Sequence, residues 1–375
     1  MLSGNILTAL VFTLLAPVLP DIAAHFGTGN GAFVAQMVMT MPGAGIIVGG
    51  IAGGLLVVRV GIRPALFGGL ALFGVAGAAP LYIDAAPGLL VSRFVLGLAA
   101  ATVQTALVTL ITVAFDDNRR AKLIGYAGAI GYSAAIGSIL ASGALAEVGG
   151  WRAPAILYLL ALPILAVALL CIGRIERPEP AGRDGARGTV RKLLPLWPSY
   201  LLIPPLYAAN YMLAIQFPFL LAANGVASPA EKSWIMVWSS VMAVAGAASS
   251  GFVRKRFGQV RLFALLCLLL GTGEAVIGFS AAAPMSIAGA AIAGLAGGMV
   301  LPALINLVVG QASAELRSAA IGFVFSAAYV GQFLNPVLLE PLRSLLGIHG
   351  IFVAVGSLLA AIGVALFGYA AVRRG

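Results

Sequence analysis

The chain has 375 residues, of which 61% are apolar and only 9% are Asp, Glu, Lys or Arg, with a mean hydropathy of +1.06. A soluble domain carries roughly 25% charged residues and exposes no apolar patch beyond a few hundred Å², so a cytosolic enzyme, a disordered tail and a secreted disulfide scaffold are excluded and lipid is left as the solvent. The net charge of +10 would suit either nucleic acid or membrane topology, and the placement of the basic residues decides between them.

A spanning helix needs about 20 apolar residues. Twelve stretches qualify, at about 3–24, 31–57, 65–83, 88–114, 123–146, 153–173, 196–223, 232–253, 262–281, 286–311, 319–342 and 350–371. They are too long and too continuously apolar for barrel strands, which alternate over about ten residues. The predicted class is therefore an all-α polytopic membrane protein of two six-helix bundles. The first stretch starts almost at Met1 with no basic leader, so no cleaved signal peptide is expected. It carries Asn5 and Thr13 and ends in Pro17, Pro20, Asp21 and His25. The second holds Gln36 and then Gly43, Gly45 and Gly49. That spacing mimics a dinucleotide fingerprint, but no strand precedes it, and small residues so placed serve close helix packing. Gly54, Arg59, Gly61 and Arg63 lead into the third stretch. The fourth contains Arg93, Gly97, Gln104 and Thr105, and the fifth runs through Tyr126, Gly131, Tyr132, Gly137 and Ser138.

Arg174 to Lys192 is the longest hydrophilic stretch, rich in Pro and Gly, and reads as a flexible linker. The expected division is a bundle over 1–173, a linker over 174–195 and a second bundle over 196–375. The seventh stretch carries Tyr207, Asn210, Tyr211 and Gln216. Trp238 lies on the eighth, which leads into Gly251, Arg256 and Gly258. Glu274, on the ninth, is the one acid in the middle of an apolar run and could take up and release protons. Asn306 lies on the tenth, and Phe325, Tyr329, Gln332, Asn335 and Pro336 on the eleventh. Cys171 and Cys267, like His25 and His349, are too far apart in sequence for a metal-ligand spacing, so no metal site is expected.

Alternate connections hold eighteen of the basic residues, from Arg59 and Arg63 to Arg373 and Arg374. The opposite side holds three, Arg152, Lys232 and Arg343, and Arg93 stands alone in its helix. That bias places the larger set, and both termini, in the cytoplasm of a multi-pass protein of the inner (plasma) membrane. It also explains the charge without nucleic acid.

The two halves repeat with an ungapped offset of 197. Arg59 falls on Arg256, Gly61 on Gly258, Gly97 on Gly294, Arg120 on Arg317 and Tyr132 on Tyr329. A parallel repeat of this kind is common in transporters, whose substrate sites lie between repeats near the midplane.

Gly54 to Arg63, with its echo Gly251 to Arg261, resembles the loop signature of the major facilitator superfamily in its twelve-helix form. Arg93 followed by Gly97 resembles that family's fourth-helix signature, and the first helix resembles its drug-efflux and exporter branch. Three departures stand out. Val58 replaces the usual loop Asp, Thr13 stands where some drug–proton antiporters carry an acid, and Ser138 stands where the antiporter signature has Pro.

The resemblance implies a transporter, not an enzyme, working as a monomer by alternating access. It assigns proton coupling or gating to Arg93; the residues themselves add Asp21 and Glu274 as candidates, although the ninth helix is peripheral in that family. It assigns the substrate cavity to Gln36, Gln104, Tyr126, Tyr132, Tyr207, Asn210, Tyr211, Gln216, Trp238, Asn306, Tyr329 and Gln332. Aromatics with scattered amides suit a small amphipathic organic molecule. No nucleotide-binding loop is present, so no cofactor is expected and the driving force is proton-motive force or a substrate gradient. Proton-coupled efflux is the leading expectation, a proton symporter or uniporter for import the alternative, and a receptor or membrane enzyme the third.

Overall fold

The computed structural model describes residues 3–27, 29–114, 117–173, 193–313 and 316–372. Most of the expected linker, 174–192, lies outside the described residues. Among the described residues the chain is helical throughout, with no strand. It divides into two units, Met1–Gly182 and Arg183–Gly375.

In the first unit, α1 (Ser3–Thr13), a 3-10 turn (Ala16–Val18) and α2 (Leu19–Phe26) make one interrupted span. Pro17 and Pro20 sit at the starts of the second and third pieces, where a missing N–H costs nothing. α3 (Gly31–Val60), α4 (Ile62–Gly77), α5 (Ala86–Ala114) and α6 (Asp117–Gly149) follow, then a 3-10 segment (Ala153–Leu160) running into α7 (Ala161–Cys171). The second unit opens with a 3-10 turn (Leu194–Leu196). Its first span is four short pieces, α8 (Trp197–Leu201), α9 (Ile203–Asn210), α10 (Met212–Ile215) and α11 (Phe217–Ala223), bent by 41° before Phe217. α12 (Pro229–Phe257), α13 (Gln259–Gly278), α14 (Ala283–Val309) and α15 (Arg317–Val372) complete it.

Among the described residues ten helices are long and apolar enough to cross a membrane, and the bent pair makes eleven. The last of them covers 54 residues, or ~80 Å if straight, more than twice the ~30 Å of a bilayer core. Gly347 divides it, with φ 73° and ψ 173° inside an otherwise helical run. The architecture is thus compatible with twelve spans.

Helices turn where glycine permits. Gly61 (φ 99°) joins α3 to α4, its N–H bonded to the Val57 carbonyl at 2.9 Å. Gly258 (φ 81°) joins α12 to α13 in the same way through the Arg254 carbonyl, also at 2.9 Å. A side chain would be strained at either place.

Each unit also has a crossing of long helices where main chains touch. Gly45 and Gly97 bring α3 against α5, Gly45 facing the Phe94 carbonyl and Gly97 that of Pro42. Gly246 and Gly294 bring α12 against α14, facing the carbonyls of Leu295 and Ser239. Gly49 and Gly246, like Gly97 and Gly294, are partners under the 197-residue offset.

At the α4–α5 connection Arg152 ion-pairs with Asp84, donates to the Pro80 carbonyl at 3.4 Å and lies over the Trp151 ring. The Arg152 hydrogen bond and charge hold the Asp84 carboxyl below its ordinary 3.8. A depressed carboxyl contributes stability above its unfolded value and loses it as pH falls through the folded one. Asp84→Asn is therefore expected to lower thermal stability at pH 7. The difference from wild type should vanish in acid well below pH 3.8, and a pH-independent difference would refute this assignment.

Candidate functional site

The interrupted first span of unit one is held at its break. Thr13, the last residue of α1, bonds through Oγ1 to the Ala9 carbonyl at 2.7 Å and to the Ser138 hydroxyl of α6. The two positions at which the sequence departs from the antiporter pattern thus meet each other. About two turns earlier, the Gln104 amide of α5 donates to Asn5 Oδ1 at 3.3 Å. Gln104 is exposed and Tyr132 is 36% exposed, whereas Gln36 is wholly buried inside the unit. The side chain of Tyr126 lies outside the described residues.

Arg93 is completely buried. Its Nη2 donates to the carbonyls of Ala76 and Gly77 at 2.7 Å each, and its guanidinium lies 5.1 Å from the centre of the Tyr158 ring. Those carbonyls belong to the last turn of α4, whose acceptors have no intrahelical donor. A cation at a helix C-terminus also complements the helix dipole. Tyr158 in turn packs on Phe73 and donates to the Leu10 carbonyl of α1 at 3.3 Å. Gly77 faces Tyr158 so closely that no side chain fits there. Arg93 therefore ties α5 to α4, and through Tyr158 to the first span. Its Nε and Nη1 have no hydrogen-bond partner.

Asp21 is half-buried in the first turn of α2, where a negative charge suits the helix N-terminus. In the loop signature Gly54 is half-buried and Gly251 exposed, both with open space around them. Arg59 and Arg256 are exposed in the last turns of α3 and α12. Arg63 is half-buried over the Phe67 ring and reaches the Leu169 carbonyl at 3.5 Å.

Unit two gathers the densest polar cluster, around its broken first span. Gln216 stands at the 41° bend and donates through Nε2 to Asn335 Oδ1 at 3.2 Å. Asn335 Nδ2 donates to the Ala208 carbonyl at 2.7 Å, close to the end of α9. Gln216, Gln332 and Asn335 are all completely buried. Asn210 lies against Gly297 of α14, and the rings of Tyr207 and Tyr211 are 5.6 Å apart. Gly331 lets α15 approach the Pro204 carbonyl. Tyr329 and Gln332, one turn apart, share the α15 face that carries Asn335. Neither end of the Gln332 amide has a partner. Freed backbone and amides at an interrupted membrane helix are where transporters bind ligands.

The structure therefore brings Tyr207, Asn210, Tyr211, Gln216, Tyr329 and Gln332 into one region and leaves two others apart. Asn306 bonds back to the Pro302 carbonyl of its own helix at 2.7 Å, and Trp238 pairs with Trp234. Sequence reasoning undervalued Asn335, Thr13 and Ser138. The repeat could have found them, because Thr13 falls on Asn210 and Ser138 on Asn335 at the offset of 197. In both halves the first span breaks at the same position and a polar residue at the same position of the fifth faces that break. Glu274 lies in unit two on α13, completely buried. Among the described residues no group of three His, Cys, Asp or Glu is placed to hold a metal.

The sequence profile of the Major Facilitator Superfamily matches residues 1–226 and again 205–374. The multidrug efflux pump Tap of Mycolicibacterium fortuitum is 25% identical over 127 residues, which are 34% of this chain and 31% of that protein. Similar solved structures include a bacterial homologue of the human lysosomal transporter Spinster, in an inward-facing and unoccupied conformation. It has a TM-score of 0.79 at 15% identity and covers 98% of this chain and 94% of its own. The D-xylose–proton symporter has a TM-score of 0.76 at 15% identity, covering 97% and 95%. The nucleoside transporter NupG has a TM-score of 0.77 at 12% identity, covering 97% and 98%. At these identities the likeness is one of fold.

Proposed function

The chain belongs to the Major Facilitator Superfamily, and from that premise we propose that it exports a small amphipathic organic molecule by alternating access in exchange for protons. It is a membrane transporter rather than an enzyme. The observation that carries the substrate class is the cluster at the broken span of unit two. Tyr207 and Tyr211 offer half-buried aromatic faces and Asn210 a half-buried amide, with the buried amides of Gln216 and Gln332 behind them. Such a lining suits a ligand with an apolar body and a few polar groups. Efflux is supported by the partial similarity to the multidrug pump. The arginine-rich connections support an inner-membrane orientation with both termini in the cytoplasm, and the working unit is a monomer with no cofactor.

Import by symport is the second reading, and one observation favours it. The positions that carry an acid and a Pro in drug antiporters are Thr13 and Ser138 here, hydrogen-bonded to each other. Reconstitution into liposomes with an internal pH dye separates the readings. Under an inside-acid gradient, efflux-type exchange predicts that an exported compound collapses the gradient as it is taken up. A compound that shows counterflow yet moves no protons would replace coupling by uniport, and one that carries protons in its own direction would replace antiport by symport.

A further inference from the structure

The repeat relates the buried ionisable groups of the two units. In unit one, Arg93 on the fourth span docks on the carbonyls of Ala76 and Gly77 at the end of the third. At the offset of 197, Gly77 becomes Glu274, Arg93 becomes Ala290 and Tyr158 becomes Val355. Each half thus buries one ionisable side chain at the same junction of helices. In the first it is a cation arriving from the neighbouring helix. In the second it is a carboxyl growing from the position that the cation would have met.

The surroundings of Glu274 are close-packed. Gly273 abuts Ala293 of α14, Gly289 abuts Ile277, and Gly356 of α15 abuts the backbone of Gly271 and Ala275. Glu274 has no exposed surface, and neither carboxyl oxygen has a hydrogen-bond partner. Buried polar groups kept for structure are nearly always hydrogen-bonded, which separates Glu274 from an ordinary core carboxyl. Among the described residues no basic side chain pairs with it. α14 contains no titratable residue at all, and α13 has only Arg261 and Cys267 besides Glu274. The part of α15 beyond Gly347 has His349 and Tyr369. α12, which also touches α13, carries Glu231 and Lys232 in its first turn and Arg254, Lys255 and Arg256 in its last. Of these titratable groups His349 is the one that bonds at the Glu274 end of α13. Its Nδ1 lies 2.9 Å from the carbonyl of Gly278, one helical turn beyond Glu274, and it is half-buried.

An ionised carboxylate without partner or solvent is costly, whereas the acid carries no charge. The two states of this group therefore demand different surroundings, and a change in packing there changes its occupancy. We propose that Glu274 is a proton-binding site, that the proton it holds is the one coupled to transport, and that His349 lies on its route to the outer face. This rests on the proton-coupled reading above. Binding adds H⁺ to one carboxylate oxygen and release returns it, with no other reactant.

Two measurements test it. Dicyclohexylcarbodiimide modifies protonated carboxyls in apolar surroundings, so wild-type protein in membranes should be labelled at Glu274, by peptide mass, and less so as pH rises. An unlabelled Glu274 across the pH range would overturn the proposal without any variant having to fold. In liposomes, Glu274→Gln should keep gradient-independent counterflow of an identified substrate but lose substrate-dependent proton movement at least tenfold. Proton movement equal to wild type in that variant would also overturn the assignment while leaving coupling intact. If the wild type itself counterflows without moving protons, the coupled reading fails and this proposal with it.

Discussion

Replacing Arg93 by methionine is expected to destabilise the folded protein by about 3–5 kcal/mol, because two buried carbonyls would each lose a charge-assisted bond worth ~1.5–3 kcal/mol. The acceptors are those of Ala76 and Gly77, both in the last turn of α4, and among the described residues no other side chain donates to them. Methionine would fill much of the volume over Tyr158 but supply no donor. The effect should appear as a lower melting temperature in detergent and a smaller monodisperse fraction after mild heating. Arg93→Lys is the informative control. It keeps the charge but lacks the planar fork that bonds two carbonyls while lying over a ring, so its stability should fall between the two. The lysine variant also separates anchoring from coupling. Unchanged stability with uncoupled transport would give Arg93 a chemical role in the proton cycle, and transport that falls only with the folded fraction would give it an anchoring one.

The second large effect is expected at the main-chain crossing of unit two. A Cβ at Gly294 would lie 2.6 Å from the Ser239 Cα and closer still to the Ser239 carbonyl oxygen, far inside contact distance. The obstructing atoms are backbone, so no rotamer change relieves the clash, and α12 must move off α14. Overpacking typically costs 1–3 kcal/mol when side chains can adjust; here they cannot, and Gly294→Val should cost about 3 kcal/mol or more and abolish accumulation of folded protein. Gly322→Val, at an exposed helical glycine with nothing within 4 Å, should be tolerated. Comparable expression of the two variants would show that α12 and α14 can separate without cost.

Much of this architecture was legible in the sequence because lipid imposes a simple rule: a long apolar run must be a helix. The turns at Gly61 and Gly258 were readable for a similar reason, since a glycine between two apolar runs needs little context. The break within the seventh span also had a local mark, Pro218 in the first turn of Phe217–Ala223, where the ring denies the preceding turn a hydrogen bond. Its partner was not legible, because Gln216 at the bend meets Asn335, 119 residues away. Arg93 was recognisable as an anomaly, but its partners were not, because they are main-chain carbonyls and leave no mark in the side-chain sequence. Glu274 was conspicuous for its isolation, yet only the packed structure places it where Arg93 lands in the other half. Trp238 and Asn306 were drawn into the expected cavity by residue type on helices that line it in the family, and the contacts described for them lie within their own helices.

The glycine crossings have a mechanical consequence. Where two main chains lie in direct contact no layer of side chains remains to shear, and sliding one helix along the other would drive carbonyl oxygens into Cα atoms. The α3–α5 pair and the α12–α14 pair should therefore behave as struts, stiff on the timescale of a turnover. The spans broken after Thr13 and at Gln216 have the opposite character: fewer continuous backbone bonds, and amide or hydroxyl latches that can open one at a time. Compliance within each half is concentrated in a single jointed element beside a rigid one. In native-state hydrogen exchange, amides of the strut helices should exchange last and those flanking the two joints first.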